Sequence, residues 1–141
     1  MKLCQRDVVL CAMAKSILTG LALSDWDVQD EVGSRDVIDD CMAHVESQEL
    51  IAEFWRSTEK GYFVNLDLDR LLYVGSSQIA GATMAERHHL VTDSVSAEIG
   101  GVTDTGLHHL HCKFLRLIGA EDLLPLAERV YQANKAIVAT L

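Results

Sequence analysis

The sequence predicts an all-α protein, folded as a compact helical bundle or orthogonal array of five to seven helices. Apolar residues recur with the 3.6-residue period of an α-helix along most of the 141 residues. Glycines and polar capping residues separate these periodic segments, and a single proline is present. Because two independent cores of ordinary size need a longer chain, residues 1–141 are expected to form one domain.

Three long helices are expected, over 3–21, 77–99 and 122–140. The first has an apolar stripe formed by Leu3, Leu10, Ala14, Ile17, Leu18 and Leu21. The second presents Met84, His88, Val91, Val95 and Ile99 on one face and ends at Gly100-Gly101. The last directs Leu126, Val130, Ala133 and Ile137 inward. Each of these helices has an apolar stripe and none is apolar on all sides, which favours a helical bundle or orthogonal array.

Shorter helices are expected between the long ones. Ser24 and Asp27 resemble a capping box that opens a short helix to Gly33, and Ser34 is the expected cap of a helix over 35–46. The apolar stripe then changes phase near Ser47-Gln48, which predicts a break and a further helix over 48–59.

The residues near 62–68 are ambiguous, because polar and apolar side chains alternate from Tyr62 to Asp69. This period of two is typical of a strand. A lone strand has no pairing partner in an otherwise helical chain, so we favour an extended segment to about residue 64. A short helix to about residue 74 is expected to follow, with a strand left open as the alternative.

The net charge of −9 is concentrated in one segment. Residues 24–59 carry eleven acidic side chains against two arginines, whereas the rest of the chain is balanced. Such a field repels phosphate backbones, which argues against direct binding of nucleic acid or an anionic membrane. The ordinary interpretation is a solvated helical face; the functional one is a docking surface for a basic partner, with Asp36, Asp39, Asp40 and Glu46 as the candidate residues.

The four cysteines include no C-x-x-C pair, which favours reduced thiols and a cytoplasmic location. The N-terminus resembles an export signal, but Asp7 and Lys15 limit its apolar run to seven residues, so we favour a mature helix. No run approaches the roughly 20 apolar residues that a membrane span requires.

A histidine-rich helix over 106–118 is the first candidate for a chemical site. His108, His111 and Cys112 have i, i+3, i+4 spacing, and His88 on the helix over 77–99 is expected to meet them across a pocket. Imidazole and thiolate are ligands that suit zinc. Because no C-x-x-C or H-E-x-x-H motif is present, half-buried core histidines are the stronger interpretation, and no metal is assigned.

The same helix is expected to be a core element first. Its predicted apolar stripe consists of Leu107, Leu110, Phe114, Leu117 and Ile118, and His109 is expected to face solvent. The sequence contains no G-x-S-x-G elbow and no glycine-rich phosphate loop, so neither catalytic residues nor a cofactor can be assigned.

Two classes of function follow. The leading hypothesis is a non-enzymatic cytoplasmic protein that acts by association, either as a homodimer or with a basic protein bound to 24–59. Two observations support the dimer: Val8 and Val9 lie off the main stripe of the first helix, and Trp26 and Trp55 lie near expected helix ends. The alternative is a small-molecule-binding or metal-binding protein, or an enzyme, with a pocket between 77–99 and 106–118. An acidic mimic of nucleic acid is a third, weaker hypothesis.

Overall fold

A computed structural model describes residues 3–24, 33–61, 66–91 and 103–140. The helices of these ranges are α1 (Gln5–Leu23), α2 (Ser34–Ala43), α3 (Gln48–Glu59), α4 (Leu66–Ser76), α5 (Met84–Val91), α6 (Thr103–Leu117) and α7 (Leu124–Val138), with a 3₁₀ turn over Glu121–Leu123. The predicted all-α class is confirmed: these ranges hold seven α-helices and no strand. None of the described helices is long and apolar enough to cross a membrane.

Helix α1 is the centre of the fold. Every residue of 7–14 and 16–21 is buried, since α1 contacts α2, α4, α5, α6 and α7. Helix α1 is therefore buried all round although it is not apolar all round, since Asp7, Ser16 and Thr19 are among its buried residues. Val8 and Val9 are fully buried in the monomer, so they give no support to a dimer. A helix with five helical neighbours buries residues on every side, whereas a single apolar stripe accounts for one side only.

One charged side chain is enclosed with α1. Asp7 is fully buried, and its two carboxylate oxygens accept the backbone N–H groups of Glu46 and Ser47, each at 2.9 Å. Ser47 is the N-cap of α3, and its hydroxyl oxygen accepts the N–H of Leu50 at 3.2 Å. The predicted break near Ser47-Gln48 is confirmed, and the N-terminus of α3 is fastened to the central helix.

Helix α2 differs from the prediction at both ends. Its N-cap is Gly33, which has a left-handed backbone with φ of 64°, whereas Ser34 is the first helical residue and is buried. The helix ends at Ala43 instead of residue 46. Residues 25–32 and 62–65 lie outside the described ranges. Most of the short helix predicted from Ser24 to Gly33 falls on the first of these gaps, and the predicted extended segment near 62–64 falls on the second. The helix predicted from about 65 to 74 is confirmed as α4.

The helix predicted over 77–99 begins later, at Met84. Ser76 and Ser77 donate their hydroxyls to the carbonyls of Tyr73 and Val74, and Gly81 adopts a positive φ of 82°, so the chain turns between α4 and α5. Thr83 and Glu86 then form a reciprocal capping box, each side chain accepting the other's backbone N–H at 3.1 Å. Residues 92–99 lie outside the described ranges.

The buried face of α6 is rotated from the predicted stripe. Leu107 and Phe114 are buried as expected, but Leu117 is 45% exposed, and His111 and Leu115 take places in the core. The predicted inward face of α7 is confirmed, since Leu126, Val130, Ala133 and Ile137 are all buried. A buried hydrogen bond of 3.0 Å from the amide of Asn134 to the hydroxyl of Ser16 joins α7 to α1.

Candidate functional site

His108 and Cys112 meet on the side of α6 that faces α7. The Cys112 Sγ lies 3.7 Å from Nε2 and 3.8 Å from Nδ1 of His108. The imidazole stacks on Tyr131 with ring centroids 4.5 Å apart, and its Nε2 lies 3.3 Å from Glu128 Oε2. Two of the predicted ligands are therefore neighbours, and α7 supplies their other contacts.

The environment of Cys112 does not favour an activated thiolate. Burial raises the pKa of its thiol, and the Glu128 carboxylate adds to this effect while Arg116 opposes it. A thiol held in its protonated form is a weak nucleophile, because the thiolate is the reactive species. The stacking of His108 on Tyr131 packs α6 against α7, whereas the contact between His108 and Cys112 lies within α6.

His111 is part of the hydrophobic core. It is only 1% exposed, and its Nε2 atom has no hydrogen-bond partner among the described residues. Burial, with a smaller contribution from the neighbouring His108, lowers the pKa of His111 to about 3. The imidazole is therefore neutral at physiological pH. For His111, the structure therefore agrees with the interpretation that the clustered histidines are core residues.

His88 lies on the outer side of α5, where it is exposed. It lines a shallow apolar depression of about 500 Å³ together with Tyr73, Met84, Ala85 and His89. The predicted inward face of this helix was wrong at Met84, which is 66% exposed, because the last turn, at Leu90 and Val91, provides the buried contacts. In the part of the chain that the structure describes, no three His, Cys, Asp or Glu side chains converge as metal ligands.

The four acidic candidates, three on α2 and Glu46 in the loop that follows it, differ in their availability. Asp36 and Glu46 are exposed. Asp39 lies near its helical neighbour Arg35, with Oδ1 3.8 Å from Nε, and Asp40 forms an ion pair with Arg129 of α7. The charge of Asp40 is thus paired within the chain. Asp36 and Glu46 are the two candidates best placed to contact a partner.

The structure also forms a groove between α1, α2 and α3 that the sequence did not predict. Its volume is about 360 Å³, and its walls are Leu18, Arg35, Ile38, Trp55, Thr58 and Glu59. Leu18 and Ile38 form an apolar floor, being 7% and 0% exposed. The sequence could not predict this groove because its walls come from three helices. Residue spacing predicts which side chains are neighbours within one helix, but not which helices pack together.

Two charged groups line this groove. The Arg35 guanidinium carbon lies 5.5 Å from the centroid of the Trp55 ring, which is a cation–π distance. Glu59 is the last residue of α3 and is exposed. Arg35 and Glu59 both lie within the described ranges, and no ion pair joins the guanidinium to the carboxylate.

A smaller cavity of about 20 Å³ lies beside the groove and shares Leu18 and Thr58 with it. Thr19, Ser57 and Thr58 donate their hydroxyls to the carbonyls of Lys15, Phe54 and Trp55 at 2.8 to 3.0 Å. Lys15 donates to the carbonyl of Val91 at 2.8 Å and forms an ion pair with Asp69. This space is large enough for one water molecule.

Comparisons of the chain with protein-family models, with curated proteins and with solved structures found no match.

Proposed function

We propose that the protein binds a small amphipathic organic molecule in the groove between α1, α2 and α3. The observation that supports this proposal is a groove of about 360 Å³ with a buried aliphatic floor, one aromatic wall and a few polar groups. Small-molecule sites typically have volumes of about 300–1,000 Å³ and this mixture of side chains. The sequence also suggested a small-molecule site, but at the histidines between the helices predicted over 77–99 and 106–118. The site proposed here is the groove on the other helices.

The chemistry of the groove indicates how such a molecule is held. An apolar group packed against the half-buried Trp55 ring gains about 25 cal/mol for each Å² removed from water. Thr58 donates its hydroxyl to the carbonyl of Trp55, so its oxygen is left as an acceptor for a donor group on the ligand. The apolar contacts supply affinity, and the polar groups on the rim fix the orientation.

The fluorescence of Trp55 tests the proposal. Because the chain has two tryptophans, Trp26→Phe leaves Trp55 as the single reporter. The uncharged probe N-phenyl-1-naphthylamine is expected to quench its emission with one saturable site per chain. Thr58→Phe, which fills the groove, should abolish this binding. Ala52→Phe, on an exposed position of the same helix, should leave it unchanged. Equal binding to both variants would refute the proposal.

Association with a basic protein is a second proposal, supported by the exposure of Asp36 and Glu46. A salt-sensitive partner captured from the native cell extract should be lost from the Asp36→Lys/Glu46→Lys variant. Glu121→Lys, which reverses an exposed acidic group elsewhere, should retain it. If no partner is retained at low salt, or if both variants retain it equally, the acidic surface is not the docking site. A cytoplasmic location is part of this proposal, and cell fractionation tests it.

The predicted homodimer stays a prediction. Val8 and Val9 no longer support it because they are buried, whereas Trp55 is half-buried and Trp26 lies outside the described residues. Sedimentation velocity over a range of protein concentrations tests it directly. A single species with the mass of one chain at every concentration would exclude the dimer.

A further inference from the structure

We infer that the ligand of the groove is a zwitterion with an apolar side group, of the class of apolar α-amino acids. This inference rests on the proposed function, and it follows from the two opposite charges that line one groove without pairing with each other.

The positive group is Arg35, in the first turn of α2. Its guanidinium is positioned by two contacts, one with the Trp55 ring and a long one from Nε to Asp39. The terminal Nη atoms donate to no residue within the described ranges. A guanidinium presents its N–H groups in a planar fork that matches a carboxylate. The N-terminus of α2 adds the positive end of a helix dipole on this side of the groove.

The negative group is Glu59, at the C-terminal end of α3. A carboxylate there lies beside the negative end of the helix dipole, which is an unfavourable place for it and a favourable one for a bound cation. Lys60 follows in the sequence, but among the described residues neither it nor any other cation forms an ion pair with Glu59. An ammonium group on the ligand would supply the missing partner.

The two charges together favour a ligand that carries both. A purely anionic molecule would meet Arg35 favourably and Glu59 unfavourably, and a purely cationic one would experience the reverse. A molecule with both charges satisfies both groups, and this complementarity gives specificity. The Trp55 ring and the apolar floor beneath it favour a side group without charge.

The test compares three molecules that share a phenyl group. L-phenylalanine carries both charges, 3-phenylpropionate lacks the ammonium, and phenethylamine lacks the carboxylate. By calorimetric titration, L-phenylalanine is expected to bind about 2- to 5-fold more tightly than either analogue, the ratio expected for one additional solvent-exposed ion pair.

Two neutralising variants assign the charges. Arg35→Gln should weaken L-phenylalanine and 3-phenylpropionate but improve phenethylamine. Glu59→Gln should weaken L-phenylalanine and phenethylamine but improve 3-phenylpropionate. Arg56→Gln, an exposed arginine of α3 that pairs with Glu53 at 2.9 Å outside the groove, should change none of the three.

The outcomes separate the two proposals. If either analogue binds as tightly as L-phenylalanine, or if the neutral naphthylamine probe binds and L-phenylalanine does not, the zwitterion inference is overturned and the groove remains a binding site. If neither the naphthylamine probe nor L-phenylalanine binds, both proposals fail.

Discussion

The Asp7 carboxylate of α1 accepts the backbone N–H of Ser47, at the start of α3, with an Oδ2–N distance of 2.9 Å. The second oxygen accepts the N–H of Glu46, and the carboxylate is fully buried. Buried charges are costly unless hydrogen bonds satisfy them, and a negative group at a helix N-terminus is favoured by the dipole. One side chain of the central helix therefore fixes where α3 begins.

Asp7→Asn is expected to lower the free energy of unfolding by about 1–3 kcal/mol, because an amide offers one acceptor to two N–H groups and adds an unpaired donor. Urea unfolding followed by circular dichroism measures this change. The control is Asp122→Asn, which removes a 61% exposed carboxylate paired with Arg6 and should cost less than about 1 kcal/mol. Equal losses in the two variants would contradict the anchoring role of Asp7.

Gly75→Ala is expected to destabilise the protein by about 1–3 kcal/mol through overpacking. A Cβ at Gly75 would lie 2.5 Å from Val8 Cγ2 and 2.7 Å from Leu3 Cδ1, so α4 and α1 would have to separate. Gly106→Ala in α6 is the matched control, since its Cβ would meet nothing within 4 Å. That substitution should stabilise the helix by up to about 1 kcal/mol. Thermal unfolding that moves both variants in the same direction would argue against the close approach of α4 to α1.

The folded protein is expected to lose stability as the pH falls, because His111 is buried in its neutral form. Its pKa is about 3 in the folded chain, against an ordinary value of 6.5, so the unfolded state binds a proton first as the pH falls. The stabilisation from a neutral His111 is complete above pH 6.5 and is lost progressively as the pH falls toward 3. The uptake of one proton on unfolding changes the free energy of unfolding by up to about 1.4 kcal/mol for each pH unit.

His111→Leu should reduce this slope by the equivalent of one proton, whatever its effect on stability at neutral pH. His109→Gln, at an exposed position of α6, should leave the slope unchanged. Urea unfolding at a series of pH values between 7 and 4 provides the measurement. An unaltered slope in His111→Leu would show that His111 is not the sensitive group.

Thr83→Ala is expected to lower stability by about 0.5–2 kcal/mol, because it removes the hydroxyl that caps α5 at the N–H of Glu86. Thr83→Ser keeps that hydroxyl and should retain most of the stability. Urea unfolding of the two variants side by side distinguishes the cap from a general effect of substitution. If serine is as damaging as alanine, the capping box does not stabilise α5.

Helical periodicity was sufficient to predict the fold class, the break before α3 and the inward face of α7. It failed where tertiary structure decided the outcome. The burial of Val8 and Val9 depends on how many helices surround α1, and a helical wheel holds no information about neighbours. The Thr83-x-x-Glu86 box was a readable signal for the start of α5, but the small residues before it continued an apparently helical pattern.

The candidate sites were less predictable than the fold. Spacing correctly made His108 and Cys112 neighbours, because both lie on one helix four residues apart. It gave no means of knowing that His111 is almost completely buried whereas His88 faces outward. The groove joins Leu18, Arg35 and Trp55 from three helices, and only the packing of α1 against α2 and α3 brings them together.

The all-round burial of α1 has a consequence for synthesis of the chain. Each described helix that covers α1 follows it in the sequence, and α7 is the last of them. The nascent chain therefore carries a helix whose native cover is incomplete until α7 has been made, and exposed apolar surface of this kind is prone to aggregation. A chain stopped short of α7 leaves uncovered the side of α1 that α7 buries.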